Sequence, residues 1–189
     1  MLIVSDDMNP NDVGYHGSEI RTPNIDRLAA EGVELDRFYA FPVCSPTWTA
    51  LMTGRSAIRY GILRPLGTGS GLPAEKYLLP RAFQEAGYQT WLTGKWHLGA
   101  PGEKGMPHHR GFNHFYGFLG GFVDYYRHTS TRIGRLDWQR NGEPLQEEGY
   151  ATDLLTDETL RLLDKRDQGR PLFPLSCIWR RAFAPSGSG

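Results

Sequence analysis

Three small groups of residues in this 189-residue chain have types and spacing that could do chemistry. Asp6 and Asp7 follow the apolar run Leu2-Ile3-Val4, and adjacent carboxylates at a strand end offer hard oxygen ligands to calcium or magnesium. The plainer alternative is one capping carboxylate beside a solvated one. Cys44 lies in Pro42-Val43-Cys44-Ser45-Pro46, a turn that leads into an expected helix. Free N–H groups and the helix dipole at such a place stabilise an anion, although a single cysteine is more often a small buried hydrophobe. No oriented histidine base accompanies it locally, so a cysteine-protease reading lacks support. Lys95 and His97 close the run Thr90-Trp91-Leu92-Thr93-Gly94. Taken together they are donors for a tetrahedral anion; taken apart, a strand-end cation and a capping imidazole.

The elements that must position these groups alternate between strand and helix. Leu2 to Val4 reads as a buried parallel strand with both carboxylates at its polar end. Thr22 to Gly32 reads as a helix, with a capping hydroxyl, Pro23 at its first position, Ile25, Leu28 and Ala29 on one side, and a glycine stop. The aromatic and apolar run Val33 to Phe41 predicts a strand, and Thr47 to Thr53, closed by Gly54, a helix. Tyr77 to Ala86 predicts a helix and Tyr88 to Thr93 a strand, which Gly94-Lys95-Trp96-His97 ends. From Gly99 to Gly149 the pattern is that of a long pocket-lining loop, with a hairpin near Asp137 to Pro144. Thr152 to Arg166 predicts an amphipathic helix and Pro171 to Trp179 a further buried strand. The fold class expected is α/β, a mostly parallel sheet flanked by helices, with its site at the carboxyl ends of the strands.

Composition narrows the partners. Lys plus Arg and Asp plus Glu are equal at 21 each and interspersed, so no field steers the chain to nucleic acid or to an anionic membrane. No apolar run reaches the length of a membrane span or of a signal-peptide core, and small molecules remain the expected partners. The only two cysteines, Cys44 and Cys177, give no disulfide framework. Trp91, Trp96, Phe115, Tyr116, Tyr125 and Tyr126 fit a core better than a sugar or steroid pocket.

Read as words, Pro42-Val43-Cys44-Ser45-Pro46-Thr47-Trp48-Thr49-Ala50-Leu51-Met52-Thr53-Gly54-Arg55 closely resembles the sulfatase signature. Gly87 to Gly99 is similar to the second signature of that family. Asp6-Asp7, Asn11 to Gly17, Thr22 to Asp26 and Arg110-Gly111-Phe112 stand in the family's order, and the resemblance runs from about residue 2 to 173. It implies the alkaline-phosphatase-like sulfatase fold and sulfuric ester hydrolysis of an arylsulfatase type on a small-molecule or glycan sulfate ester. It further implies that Asp6 and Asp7, with residue 44, hold a calcium ion, and that Cys44 is oxidised to formylglycine by a formylglycine-generating enzyme. Lys95 and His97 would hold the sulfate. A hydrated formylglycine has two geminal hydroxyls: one attacks sulfur, and the other lets the sulfated residue collapse back to the aldehyde. Relatives of this kind are often exported, and some hydrolyse phosphate or phosphonate esters.

Two departures stand against that pattern. The signature arginine four residues after the cysteine is Trp48 here, which exchanges a fixed charge with five donors for an indole. After Phe173 the residues Pro174-Leu175-Ser176-Cys177-Ile178-Trp179 are unlike the family, so the expected organisation is an N-terminal portion of a sulfatase catalytic domain over 1–173 and an unrelated tail over 174–189. A frame change or a truncated product is the expectation there, with later sulfate and metal ligands missing. Cys44 is then expected to stay a thiol, and a catalytically inactive remnant is the alternative to an active hydrolase.

Overall fold

The computed structural model describes residues 1–67, 70–99 and 102–179. Six strands form one sheet: β1 (Leu2–Asp6), β2 (Gln89–Lys95), β3 (His114–Phe118), β4 (Gln139–Arg140), β5 (Glu143–Pro144) and β6 (Leu172–Trp179), in the order β1-β6-β2-β3-β4-β5. The first four in that order run parallel, and β4 and β5 add an antiparallel hairpin at the far edge. Four α-helices accompany the sheet: α1 (Pro23–Glu31), α2 (Cys44–Thr53), α3 (Leu79–Glu85) and α4 (Ala151–Asp164).

Side chains alternate across the parallel strands with period two, and each face has its own core. Phe115, Leu92, Leu175 and Cys177 pack on one face with Trp48 and Met52 of α2, while Tyr116 and Phe118 pack on the other with Ala151 and Leu155 of α4. Trp91, Trp96, Phe115 and Tyr116 are therefore core, whereas Tyr126 is exposed. The register pairs Asp6 with Trp179 and Lys95 with Phe118, so the carboxyl ends of β1, β2 and β3 reach one rim of the sheet. Gly94 permits this arrangement: its φ is +114° and a Cβ there would lie 2.0 Å from the Cys177 carbonyl oxygen, inside the β2–β6 contact. Buried Pro174 in β6 stands opposite Trp91 and contributes no N–H to the ladder.

Several sequence expectations need correction. Residues 33–41 are not a strand; they lie outside the sheet, and every residue from 31 to 40 is exposed. β propensity records packing against neighbours, and among the described residues no strand pairs with that segment. β3 sits inside the stretch read as loop, because Phe115, Tyr116 and Phe118 are flanked by glycines that mask the strand. α2 starts at Cys44, three residues before the expected helix. The Thr22 hydroxyl does not cap α1; it donates to Asp26 Oδ1 (2.7 Å) and accepts from the Gly14 N–H (2.7 Å). The hairpin expected near 137–144 is β4–β5, and its turn has Asn141 and Gly142 at φ values of 51° and 94°, both left-handed. Of the expected tail, residues 180–189 lie outside the described residues.

Candidate active site

α2 determines where Cys44 stands. Val43 is extended, with φ −142° and ψ 157°, Cys44 is the first helical residue, and Gly54 ends the ten-residue helix in the left-handed conformation. The half-buried Cys44 therefore stands at the first position of the helix, whose first turn also holds Ser45 and Pro46. Trp48 and Thr49 lie one turn further along and are buried.

β2 positions the facing groups. It ends at Lys95, and His97 follows with a left-handed φ of 49° that turns its ring back toward α2. Cys44 Sγ is 3.2 Å from His97 Nδ1, and Ser45 Oγ is 3.3 Å from the same nitrogen. The other ring nitrogen, Nε2, is 3.3 Å from the Leu66 carbonyl oxygen. A carbonyl only accepts, so Nε2 carries the proton and Nδ1 offers its lone pair to the thiol or the hydroxyl. Burial, and then the Lys95 ammonium, lower the His97 pKa from 6.5 to about 4, so the imidazole is neutral at pH 7. Ser45 fixes the loop above by accepting the Leu66 N–H at 3.0 Å. Gly121 is equally constrained, since a Cβ there would come within 2.9 Å of the His97 ring.

A second contact group lies beside the first. The Lys95 side chain is wholly buried, its Nζ 2.8 Å from Asp6 Oδ2 and 5.1 Å from the centroid of the Phe122 ring. The indole N–H of Trp48 donates to the same Asp6 oxygen at 3.3 Å. The expectation that Trp48 only removes donors is thus incomplete, because it supplies one neutral donor to a site carboxylate. Cys177 lies under this group. Burial first, and then Asp6, push its thiol well above the ordinary range, so it is an inert neighbour.

The structure thus gathers Cys44 with His97, and Asp6 with Lys95. Asp7 is exposed and takes a φ of 67°. Ser45 and Phe122 join the site without having been singled out for it, and Trp48, noted as the departure from the signature, joins as a donor to Asp6; Ser45 had a signal, its place beside Cys44, and Phe122 had none. A cavity of about 730 Å³ opens on the other side of His97, lined by Leu66, Met106, Phe122, Arg132 and Asp137 among others. Cys44, Asp6 and Lys95 do not line it, so His97 is the wall between the cavity and the reactive groups.

The calcium expectation can be tested on these donors. Calcium takes six to eight oxygen ligands, and among the described residues no group of three or more His, Cys, Asp or Glu side chains gathers around a common point. Asp6 Oδ2 is already engaged by an ammonium and an indole N–H, and Asp7 is exposed. The described residues do not build a calcium shell.

A Sulfatase family model matches residues 1–175 of the chain. The chain belongs to the sulfatase family. Mouse arylsulfatase J is 38% identical over 183 residues, which cover 92% of this chain and 30% of that protein. The N-acetylglucosamine-6-O-sulfatase of Bacteroides thetaiotaomicron is 34% identical, with 90% and 27% covered. Among solved structures, Ps i-CgsB superposes with a TM-score of 0.84 at 32% identity, over 99% of this chain and 45% of that one. BT4656 in complex with its substrate D-glucosamine-2-N,6-O-disulfate gives a TM-score of 0.74 at 29% identity, over 98% and 34%. The chain thus spans less than a third of the length of these two curated sulfatases, and its fold is the alkaline-phosphatase-like one shared by these structures.

Proposed function

We propose that the cavity beside His97 is the sulfate-ester site of a sulfuric ester hydrolase, and that this chain, with Cys44 as a thiol, binds such an ester without turning it over. The observation that carries the reading is the 3.2 Å contact between Cys44 Sγ, on the first turn of α2, and a neutral His97 whose other side faces the cavity. A sulfate group entering there meets His97, with the positive end of α2 behind that ring. Lys95 acts from beneath through its charge, shared with Asp6, and offsets negative charge that builds on the sulfate oxygens. His97 Nδ1 is placed to take the proton of a nucleophile at position 44. Arg132 adds a second cation on the cavity wall, and the several relatives that act on sulfated sugars make a glycan sulfate ester the favoured substrate class.

Turnover requires the modified residue. Oxidised to an aldehyde and hydrated, position 44 would supply one hydroxyl to attack sulfur as the ester alcohol leaves, and a second whose deprotonation would expel sulfate and restore the aldehyde. A thiol has no second hydroxyl, so a sulfated thiol stays until water attacks it. Trp48, in place of the signature arginine, withdraws the charge and donors through which a maturation enzyme would engage this helix, and Cys44 accordingly remains a thiol. Two measurements on the expressed chain test the proposal: peptide mass spectrometry at residue 44, and hydrolysis of 4-nitrophenyl sulfate against a Cys44→Ala control. The expected results are an unmodified thiol and no hydrolysis above control. An aldehyde mass, or hydrolysis that depends on Cys44, contradicts the thiol-form reading; Trp48→Arg co-expressed with a formylglycine-generating enzyme is the comparison that restores the modification.

A further inference from the structure

Part of the cavity beside His97 is walled by a short reversal of the chain, from Thr129 to Leu136. Thr129 and Leu136 form an antiparallel bridge. Between them the Gly134 N–H donates to the Ser130 carbonyl at 2.8 Å, and the Ser130 N–H donates to the Arg135 carbonyl at 2.7 Å. Gly134 takes a left-handed φ of 64°, which lets the chain turn back so tightly. A second bridge joins Ser130 to Val123, which belongs to the core, and the Thr131 N–H donates to the Phe122 carbonyl at 3.4 Å. The turn is therefore anchored on both sides, and Arg132 is carried on a backbone held in place.

Arg132 lines the cavity, is exposed, and makes no hydrogen bond or ion pair with any described residue. Its charge is felt at the reactive end: burial and Lys95 do most to lower the His97 pKa, and the Arg132 guanidinium adds to them. The carboxylates on the same walls leave it uncompensated. Asp137 accepts the Leu119 and Gly120 N–H groups at 2.9 and 2.8 Å, and Glu143 stands away in the β4–β5 hairpin. The neighbours of Arg132 on the wall, Phe122, Ile133 and Leu136, have side chains without donors. A guanidinium presents a planar fork that matches the oxygens of a carboxylate or a sulfate, and a charge-assisted pair of that kind exceeds a neutral hydrogen bond in strength. We propose that Arg132 is a specificity residue, which selects esters whose alcohol portion carries a second oxyanion, sulfate or carboxylate, over esters with a single negative charge. The proposal rests on the reading of this cavity as the ester site.

The test is isothermal titration calorimetry of the full 189-residue chain with two pairs of esters. N-acetylglucosamine 6-sulfate against glucosamine-2-N,6-O-disulfate probes a second sulfate, and 4-nitrophenyl sulfate against 4-sulfooxybenzoate probes a carboxylate. In at least one pair the doubly charged ester binds about tenfold more tightly, as one charge-assisted contact gives, and added salt narrows the ratio. Arg132→Gln brings that ratio close to one. Arg135→Gln removes the same charge from the same turn but outside the cavity wall, and the ratio stays. Arg132 makes no polar contact within the protein, so the far-ultraviolet dichroism of Arg132→Gln matches that of the parent chain. Equal affinity of the parent chain within both pairs overturns the proposal, as does a preference that survives Arg132→Gln or that Arg135→Gln removes equally. In each of those cases the esters still bind, and the reading of the cavity stands. Binding of none of the four esters removes that reading and the role of Arg132 together.

Discussion

Residues 7–43 and residues 44–179 obey different rules. In the first region Val13 is the one buried residue among those described; in the second, two apolar clusters close over both faces of a parallel sheet. Both regions carry regular helices and aromatic side chains, so local sequence quality does not separate them. What separates them is the presence of a partner element. α2 and α4 lie against strands of this chain, and α1 lies against short turns that offer no apolar face. Propensity makes a helix, but tertiary contact decides whether its apolar side is a core or a surface. The site straddles this boundary, with Asp6 at the last position before the open region and Cys44 at the first position after it.

The comparison can be broken most severely at the boundary. Lys95→Met removes the cation from Asp6 and leaves a buried carboxylate with the Trp48 N–H as its remaining contact; the expected loss is about 3–5 kcal/mol in urea unfolding. A loss under about 1 kcal/mol shows that the pair is wetter than its burial indicates.

A smaller effect follows from His97, whose pKa falls from 6.5 to about 4 in the folded chain because burial and Lys95 disfavour the imidazolium. Between those two values the unfolded chain binds a proton that the folded chain does not. Stability therefore decreases as pH falls through that window, by at most about 1.4 kcal/mol per pH unit, and is complete above it. Urea midpoints of the parent chain and His97→Gln between pH 7 and 4 isolate this contribution; parallel slopes refute it.

The smallest effect belongs to the open region. Leu28→Asp and Phe38→Asp change the stability of the isolated chain by no more than about 0.5 kcal/mol, since neither side chain loses buried area. A loss above 2 kcal/mol at either position shows that the region has a covering contact, which removes the distinction between the two regions.

How much of this was legible in the sequence follows the same division. Where strands and helices pack on each other, the periodicity of Leu92, Phe115 or Leu155 states the fold, and the turn at Asn141-Gly142 states its own geometry. The run Val33 to Phe41 misled because its aromatic content implies a neighbour that the chain does not supply. β3 stayed hidden among glycines, although Gly117 is needed there for the close approach to β2. Of the site, the residue types were legible in the sequence, and the roles assigned to them came from the resemblance. The 3.2 Å approach of Cys44 to His97 spans 53 positions and has no local signal. Nor did any pattern foretell that Trp48 would turn its N–H to Asp6. Sequence separates residues by distance along the chain, and only the left-handed turn at His97 together with the start of α2 at Cys44 brings these groups within contact.

The central claim, that an ester at the cavity lies against His97, the ring in contact with residue 44, is tested most directly by the rate at which iodoacetamide alkylates Cys44, read by peptide mass spectrometry with and without 4-nitrophenyl sulfate. Cys177, wholly buried with its thiol pushed far up, serves as the unlabelled internal control. Slower labelling of Cys44 in the presence of the ester is the predicted result; an unchanged rate at saturating ester contradicts the account.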